Sequence, residues 1–192
     1  MSERSPQMSA LTPLTDEQHA QLNELIKPLI VAVPDFPKEG ILFRDITPLL
    51  AHPQAFQASV ALLKARCEGL ELTHVVGAES RGFIFGVPLA QALGLPFLPA
   101  RKPGKLPRAT VSASYSLEYG EDRLELHVDD LPSGARALCV DDLLATGGTA
   151  AACVELIERA GGEVVACAFL IELEALQGRE ALKSAVVSLL SY

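Results

Sequence analysis

The sequence predicts an α/β domain with a central, mostly parallel sheet flanked by helices. Three observations point there. From residue 73 onward, short apolar runs alternate with helical patterns. The helical patterns close on glycines, Gly94 and Gly161–Gly162. The runs between them are continuously apolar, as in strands covered on both faces. The 192 residues suit one domain, and 49% hydrophobic against 21% charged residues is a composition that buries a core.

Met1 to Leu14 is polar and reads as a disordered leader, with residues 15–192 forming the single domain. Thr15 and Gln18 form a capping box opening a helix with Leu22, Leu25, Ile26 and Leu29 on one face, which Pro28 disturbs or ends. Val31 to Ile46 mixes prolines with apolar residues and reads as extended or looped. Pro53 suits the first position of a helix carrying Phe56, Val60 and Leu63. Strands follow at Thr73–Ala78, Pro96–Arg101, Ala137–Asp141, Val164–Glu172 and Val186–Leu190, with helices at Phe83–Leu93 and Thr149–Ala160. Lys102 to Pro132 interrupts the alternation, and so long an insertion reads as a functional flap.

Sixteen basic against 24 acidic residues give a net charge of -8, which disfavours a nucleic-acid partner. The longest apolar run, Val164 to Ile171, is far too short to span a membrane, and the polar first residues predict no signal peptide. Cys67, Cys139, Cys153 and Cys167 lack C-x-x-C spacing, and no histidine pairs with them at metal-ligand spacing. Buried, reduced thiols in a cytoplasmic protein are expected.

The sharpest motif runs from Ala137 to Thr149. An apolar strand ends in Asp141 and Asp142; after a short turn, Ala145-Thr146-Gly147-Gly148-Thr149 opens a helix. Ligands of parallel sheets lie at the carboxyl ends of the strands. The glycines let backbone N–H groups turn toward an anion, the threonines add hydroxyls, and the helix N-terminus adds partial positive charge. This is a cradle for one phosphate monoester. Two carboxylates beside it suit vicinal hydroxyls, or a divalent cation through water, so the pair describes a ribose 5-phosphate. A plain helix start with acidic residues near it is the other reading. Neither a Walker lysine nor G-x-G-x-x-G after a strand occurs, which argues against P-loop and dinucleotide-binding sites.

V-D-D-L-L-A-T-G-G-T resembles the phosphoribosyl pyrophosphate (PRPP) signature of the type I phosphoribosyltransferases. Three further blocks resemble the adenine phosphoribosyltransferase family: Pro34–Pro37 with Gly40–Thr47, Glu79–Phe83, and Arg101–Pro107 with Ser114–Gly120. They stand in the family's order and cover about residues 31–192. The resemblance implies the type I fold, with an N-terminal hood near 31–47 and a flexible catalytic flap near 102–132. It implies Glu79, Ser80, Arg81, Gly82, Arg101, Lys102 and Lys105 at pyrophosphate, and a cis peptide at Glu79–Ser80. Arg81 is suited to fork two phosphate oxygens. Phe36, Leu42, Phe43 and Arg44 would form the adenine slot, with Leu42 reading the purine edge through its backbone. Glu118 would handle the purine proton, and Tyr115 and Tyr119 would exclude water as the flap closes. His52 stands where the family often has a capping Asp, implying a weaker cap.

The implied reaction is adenine plus PRPP giving AMP and pyrophosphate, with Mg²⁺ held through PRPP and, through water, by Asp141 and Asp142. A homodimer is implied by analogy. Three alternatives stand beside it. A phosphoribosyltransferase for another purine typically carries its hood after the last strand. A regulatory PRPP-binding module tends to carry a basic nucleic-acid surface. A receiver domain places its acid pair after the first strand. The early hood, the acidic balance and the late Asp pair each disfavour one of these.

Overall fold

The computed structural model describes residues 11–116 and 121–192. Helix α1 (Asp16–Gln21) opens on the expected capping box, with Thr15 accepting from the Gln18 N–H and the Gln18 side chain accepting from the Thr15 N–H. It loosens through a π turn and a 3₁₀ turn that carries Pro28 and ends at Leu29. Residues 11–14 dock on the body: the Thr12 hydroxyl donates to the Glu68 carbonyl, and the Thr12 carbonyl accepts from Arg66.

Strands β1 (Val31–Pro34) and β2 (Leu42–Asp45) form a separate antiparallel pair, the hood. Helices α2 (Thr47–Leu50) and α3 (Pro53–Arg66) follow. His52 does cap α3, its Nδ1 accepting from the Ala55 N–H at 3.2 Å, so imidazole supplies the acceptor that the capping position needs.

The main sheet contains β3 (His74–Ala78), β4 (Phe97–Ala100), β7 (Arg136–Leu144), β8 (Glu163–Glu172) and β9 (Ala185–Ser191), once β5 (Thr110–Ser116) and β6 (Glu121–His127) are set apart as a hairpin. Its order is β4-β3-β7-β8-β9, and every neighbouring pair is parallel. Helices α4 (Arg81–Leu93) and α5 (Gly148–Arg159) make the crossovers next to the site. Period-two alternation divides the core. Val75, Leu138, Val140, Ala168 and Leu170 face one cluster with Leu63, Phe85 and Leu89. Val76, Cys139, Cys167 and Phe169 face the other with Cys153, Leu156 and Ile157. All four cysteines are buried and free.

Two expectations change in detail. The β7 strand continues past the acid pair: Asp141 pairs with Phe169 and Leu143 with Ile171. Buried Leu144 supplies the apolar surface that holds this extension in the sheet. The insertion, expected as a flap, has a root that belongs to the core. Ala113, Leu124 and Leu126 are buried in the same cluster as α5, and Arg101 bridges Glu125 in backbone pairing.

Candidate active site

The carboxyl edge of the sheet carries a cavity of about 140 Å³ lined by Arg81, Asp141 and residues 143–150. Gly147, at φ +85°, is the N-cap of α5, and a Cβ there would lie 2.5 Å from the Gly178 carbonyl oxygen. Only glycine permits that approach. Neither α4 nor α5 has a side-chain cap, so both N-termini present their opening N–H groups beside the same cavity. Gly82 brings the start of α4 against the end of β7: a Cβ there would meet the Val140 carbonyl at 2.6 Å and Asp141 Oδ1 at 3.2 Å. The Glu79–Ser80 peptide is cis, as expected.

The acid pair is not symmetric. Asp141 Oδ1 accepts the Asp142 N–H at 2.9 Å, while buried Asp142 pairs with Arg81 Nε at 3.1 Å. Burial, with the Asp142 charge second, pushes the Asp141 carboxyl well above its ordinary range. Burial also raises Asp142, against the opposing pull of Arg81. Arg81 therefore pairs with a carboxylate through Nε while its side chain stays half exposed at the cavity.

The basic cluster is likewise held by acids. Glu79 accepts the Lys102 N–H at 2.9 Å and Arg101 Nε at 3.3 Å. The Lys102 backbone bond is the main reason its carboxyl sits below the ordinary value. Glu79 thus fixes the segment bearing the cations. Arg101 donates to the Lys105 carbonyl. Lys102 Nζ pairs with Asp122 and donates to the Tyr115 hydroxyl at 3.2 Å, and that hydroxyl donates to Asp122 at 3.1 Å. Arg108, near the cluster in sequence, pairs with Asp130. Glu118 and Tyr119 lie outside the described residues.

A second cavity, about 410 Å³, lies between the hood and the carboxyl end of β8. Leu42 and Arg44 line it, together with Leu173, Leu176 and Tyr192. The Arg44 guanidinium stacks 3.8 Å from the Tyr192 ring centre, and its buried Nε has no hydrogen-bond partner among the described residues. Phe36 and Phe43 meet edge to face at 5.1 Å but are not among the residues lining the cavity. The two cavities adjoin: Leu173 N–H donates to the Leu144 carbonyl at 2.9 Å.

Residues 45–191 match the model of the phosphoribosyl transferase domain. The chain is 57% identical to an adenine phosphoribosyltransferase of Mannheimia succiniciproducens over 161 residues, covering 84% of this chain and 89% of that one. The chain belongs to the adenine phosphoribosyltransferase family. Crystal structures agree. The adenine phosphoribosyltransferase of Thermoanaerobacter pseudethanolicus superposes with a TM-score of 0.86 at 49% identity, over 89% of this chain and 99% of that one. The Saccharomyces cerevisiae enzyme, complexed with an imino-altritol bisphosphate and adenine, gives 0.85 at 41% identity, over 88% of this chain and 98% of that one.

Against this family background, Asp141, Asp142, Arg81 and the Ala145–Thr149 loop come together around one cavity, and Leu42 with Arg44 around the other. Leu173, Leu176 and Tyr192 line the second cavity without belonging to any of the sequence motifs. The signal that could find Leu173 and Leu176 is their position just past the carboxyl end of β8, where ligands of parallel sheets bind.

Proposed function

We infer that the protein transfers the 5-phosphoribosyl group of PRPP to adenine, giving AMP and pyrophosphate in purine salvage. The observation that carries this is an anion cradle with an acid pair adjoining a mostly apolar second cavity at one sheet edge. The family's relatives are named for this activity, and the yeast structure is a complex with an imino-altritol bisphosphate and adenine.

The 5-phosphate accepts hydrogen bonds from the N–H groups and hydroxyls of the Ala145–Thr149 loop, and this remote binding aligns the reacting carbon. Asp141 and Asp142 accept from the 2- and 3-hydroxyls. Once the ribose engages Asp142, the Arg81 guanidinium exchanges that carboxylate for pyrophosphate, joined by Arg101, Lys102 and Lys105. The C1–O bond breaks with its electron pair leaving on pyrophosphate, and the purine N9 forms the new bond from the opposite face. The paired carboxylates place negative potential beside the cationic sugar centre. Leu42, Arg44 and Leu176 hold the base, and Glu118 handles its proton.

Among the described residues no group of three or more His, Cys, Asp or Glu is placed to hold a metal ion. The Asp141 and Asp142 carboxylates, beside the phosphate loop, would hold through water a Mg²⁺ carried in on PRPP oxygens. When bound, Mg²⁺ neutralises charge growing on the pyrophosphate. A homodimer and a cytoplasmic location complete the proposal. The first rests on the family resemblance, and four buried free thiols support the second. Among the described residues no helix is long and apolar enough to cross a membrane.

The test is turnover with Mg²⁺, PRPP and each of adenine, hypoxanthine and guanine, reading nucleotide and pyrophosphate together. Adenine should be consumed with stoichiometric pyrophosphate release. Equal use of hypoxanthine would defeat the base assignment. In the same assay Glu118→Ala should lower kcat by about 10²–10³-fold; undiminished kcat removes Glu118 from the chemistry.

A further inference from the structure

Between β8 and β9 the chain makes two 3₁₀ turns, Glu174–Leu176 and Gly178–Ala181, and this one crossing lines the second cavity and packs against the loop that lines the first. Its first half supplies Leu173, Ala175 and Leu176 to the base cavity. Its second half lies directly under the phosphate loop. A Cβ on Gly178 would stand 2.3 Å from the Ala145 carbonyl oxygen, just as one on Gly147 would stand 2.5 Å from the Gly178 oxygen.

A short, glycine-containing crossing has little apolar burial of its own to fix it. Backbone bonds from Leu173 to Leu144 and from Glu174 to Tyr192 hold its start, and one residue beside Gly178 ties the rest to the sheet. Arg179 forks the Glu172 carboxylate, with Nε at 2.5 Å from Oε1 and Nη2 at 2.6 Å from Oε2. Its Nη1 donates to the Val186 carbonyl at 3.1 Å and its Nη2 to Ser188 Oγ at 2.8 Å. Ser188 Oγ donates in turn to Glu172 Oε2 at 2.6 Å. The carboxylate is only 5% exposed, and it joins the end of β8, the crossing and β9. Burial pushes Glu172 up, but the Arg179 and Ser188 hydrogen bonds outweigh it and hold the carboxyl below its usual range.

We propose that Arg179 and Glu172 are positioning residues for both substrates, fixing the 173–182 crossing as a wall common to the base cavity and the phosphate loop. This rests on the function inferred above. Joining N9 to C1 requires the two ligands to meet at about 3–3.5 Å, so a wall shared by both sites sets their separation. Lysine keeps the charge at 179 but cannot reproduce the fork, so Arg179→Lys releases the crossing without stranding a buried carboxylate.

The experiment measures equilibrium binding of adenine and of ribose 5-phosphate to wild type, Arg179→Lys, Ser188→Ala and Ser188→Thr by calorimetry, with turnover alongside. Arg179→Lys should weaken both ligands by about tenfold, Ser188→Ala should weaken both by about threefold, and Ser188→Thr should recover toward wild type. A merely structural role would lower the amount of active protein and leave both Kd values unchanged. Unchanged Kd values, or weakening of one ligand alone, in either folded variant overturns the proposal. Wild type that binds neither adenine nor ribose 5-phosphate would instead overturn the functional reading beneath it.

Discussion

The two halves of the proposed site, one for phosphate and one for base, are built in opposite ways. The first is one continuous run, Asp141 to Ala150, completed by Arg81. The second takes its walls from the hood, the crossing after β8 and Tyr192, three segments far apart in sequence. The physical reason is the ligand. An anion is held by successive backbone N–H groups, which a single turn provides. A flat base needs surfaces on opposing sides, which a single turn cannot provide.

Gly147→Ala tests the first half and carries the largest expected effect on substrate binding. The added carbon would meet the Gly178 oxygen at 2.5 Å in a left-handed backbone conformation, so the loop must move. KM for PRPP should rise about 100-fold, equivalent to about 2.7 kcal/mol. Adenine should weaken by a smaller factor through the shared crossing. A variant with unaltered PRPP kinetics would show that the cradle does not depend on this turn.

Leu176→Ala probes the second half. Leu176 is 47% exposed at the cavity wall, so it contributes part of the free energy of burying an apolar side chain. KM for adenine should rise about fivefold to tenfold while KM for PRPP stays put, because truncation leaves the backbone under Gly147 in place. Steady-state kinetics with each substrate varied in turn decides it. Parallel changes would erase the distinction between the halves.

The same contrast explains what the sequence made legible. Thr15 with Gln18, Gly94 after α4, and the alternating apolar runs are local signals, and the structure contains each. Asp141 to Thr149 is local too, hence readable as a ribose-phosphate site. The extension of β7 to Leu144 was missed because two carboxylates look like a strand end, while sheet pairing with β8 continues past them. Leu173 and Leu176 become site residues only once β8 is known to end beside the hood, and Tyr192 only once its ring is known to lie on Arg44. The acid–base pairing of Arg81 with Asp142, and of Lys102 with Asp122, belongs to tertiary geometry and has no sequence signature.

The smallest predicted effect concerns stability and sets the phosphate half against the rest of the fold. Glu79 and Glu172 have carboxyls held below their ordinary values, so their contribution is present above the unfolded pKa and fades as pH falls through the folded value. Asp141 runs the other way. Its folded carboxyl is raised, so between the ordinary value of 3.8 and the raised one the folded state binds more protons than the unfolded chain. Ionising it therefore costs stability as pH rises through that window. Asp141→Asn removes the charge with little change of shape and should stabilise the protein at neutral pH by about 1 kcal/mol, or about 2–4 °C in Tm. The gain should shrink as pH falls through that window, where the folded wild-type carboxyl is already protonated, and vanish below the ordinary value. PRPP binding should weaken in the same variant while adenine binding is spared. Thermal melts of both proteins across pH 4–8 measure the first effect, and a Tm lowered at neutral pH would show that the ionised Asp141 is held by favourable contacts rather than tolerated for its ligand.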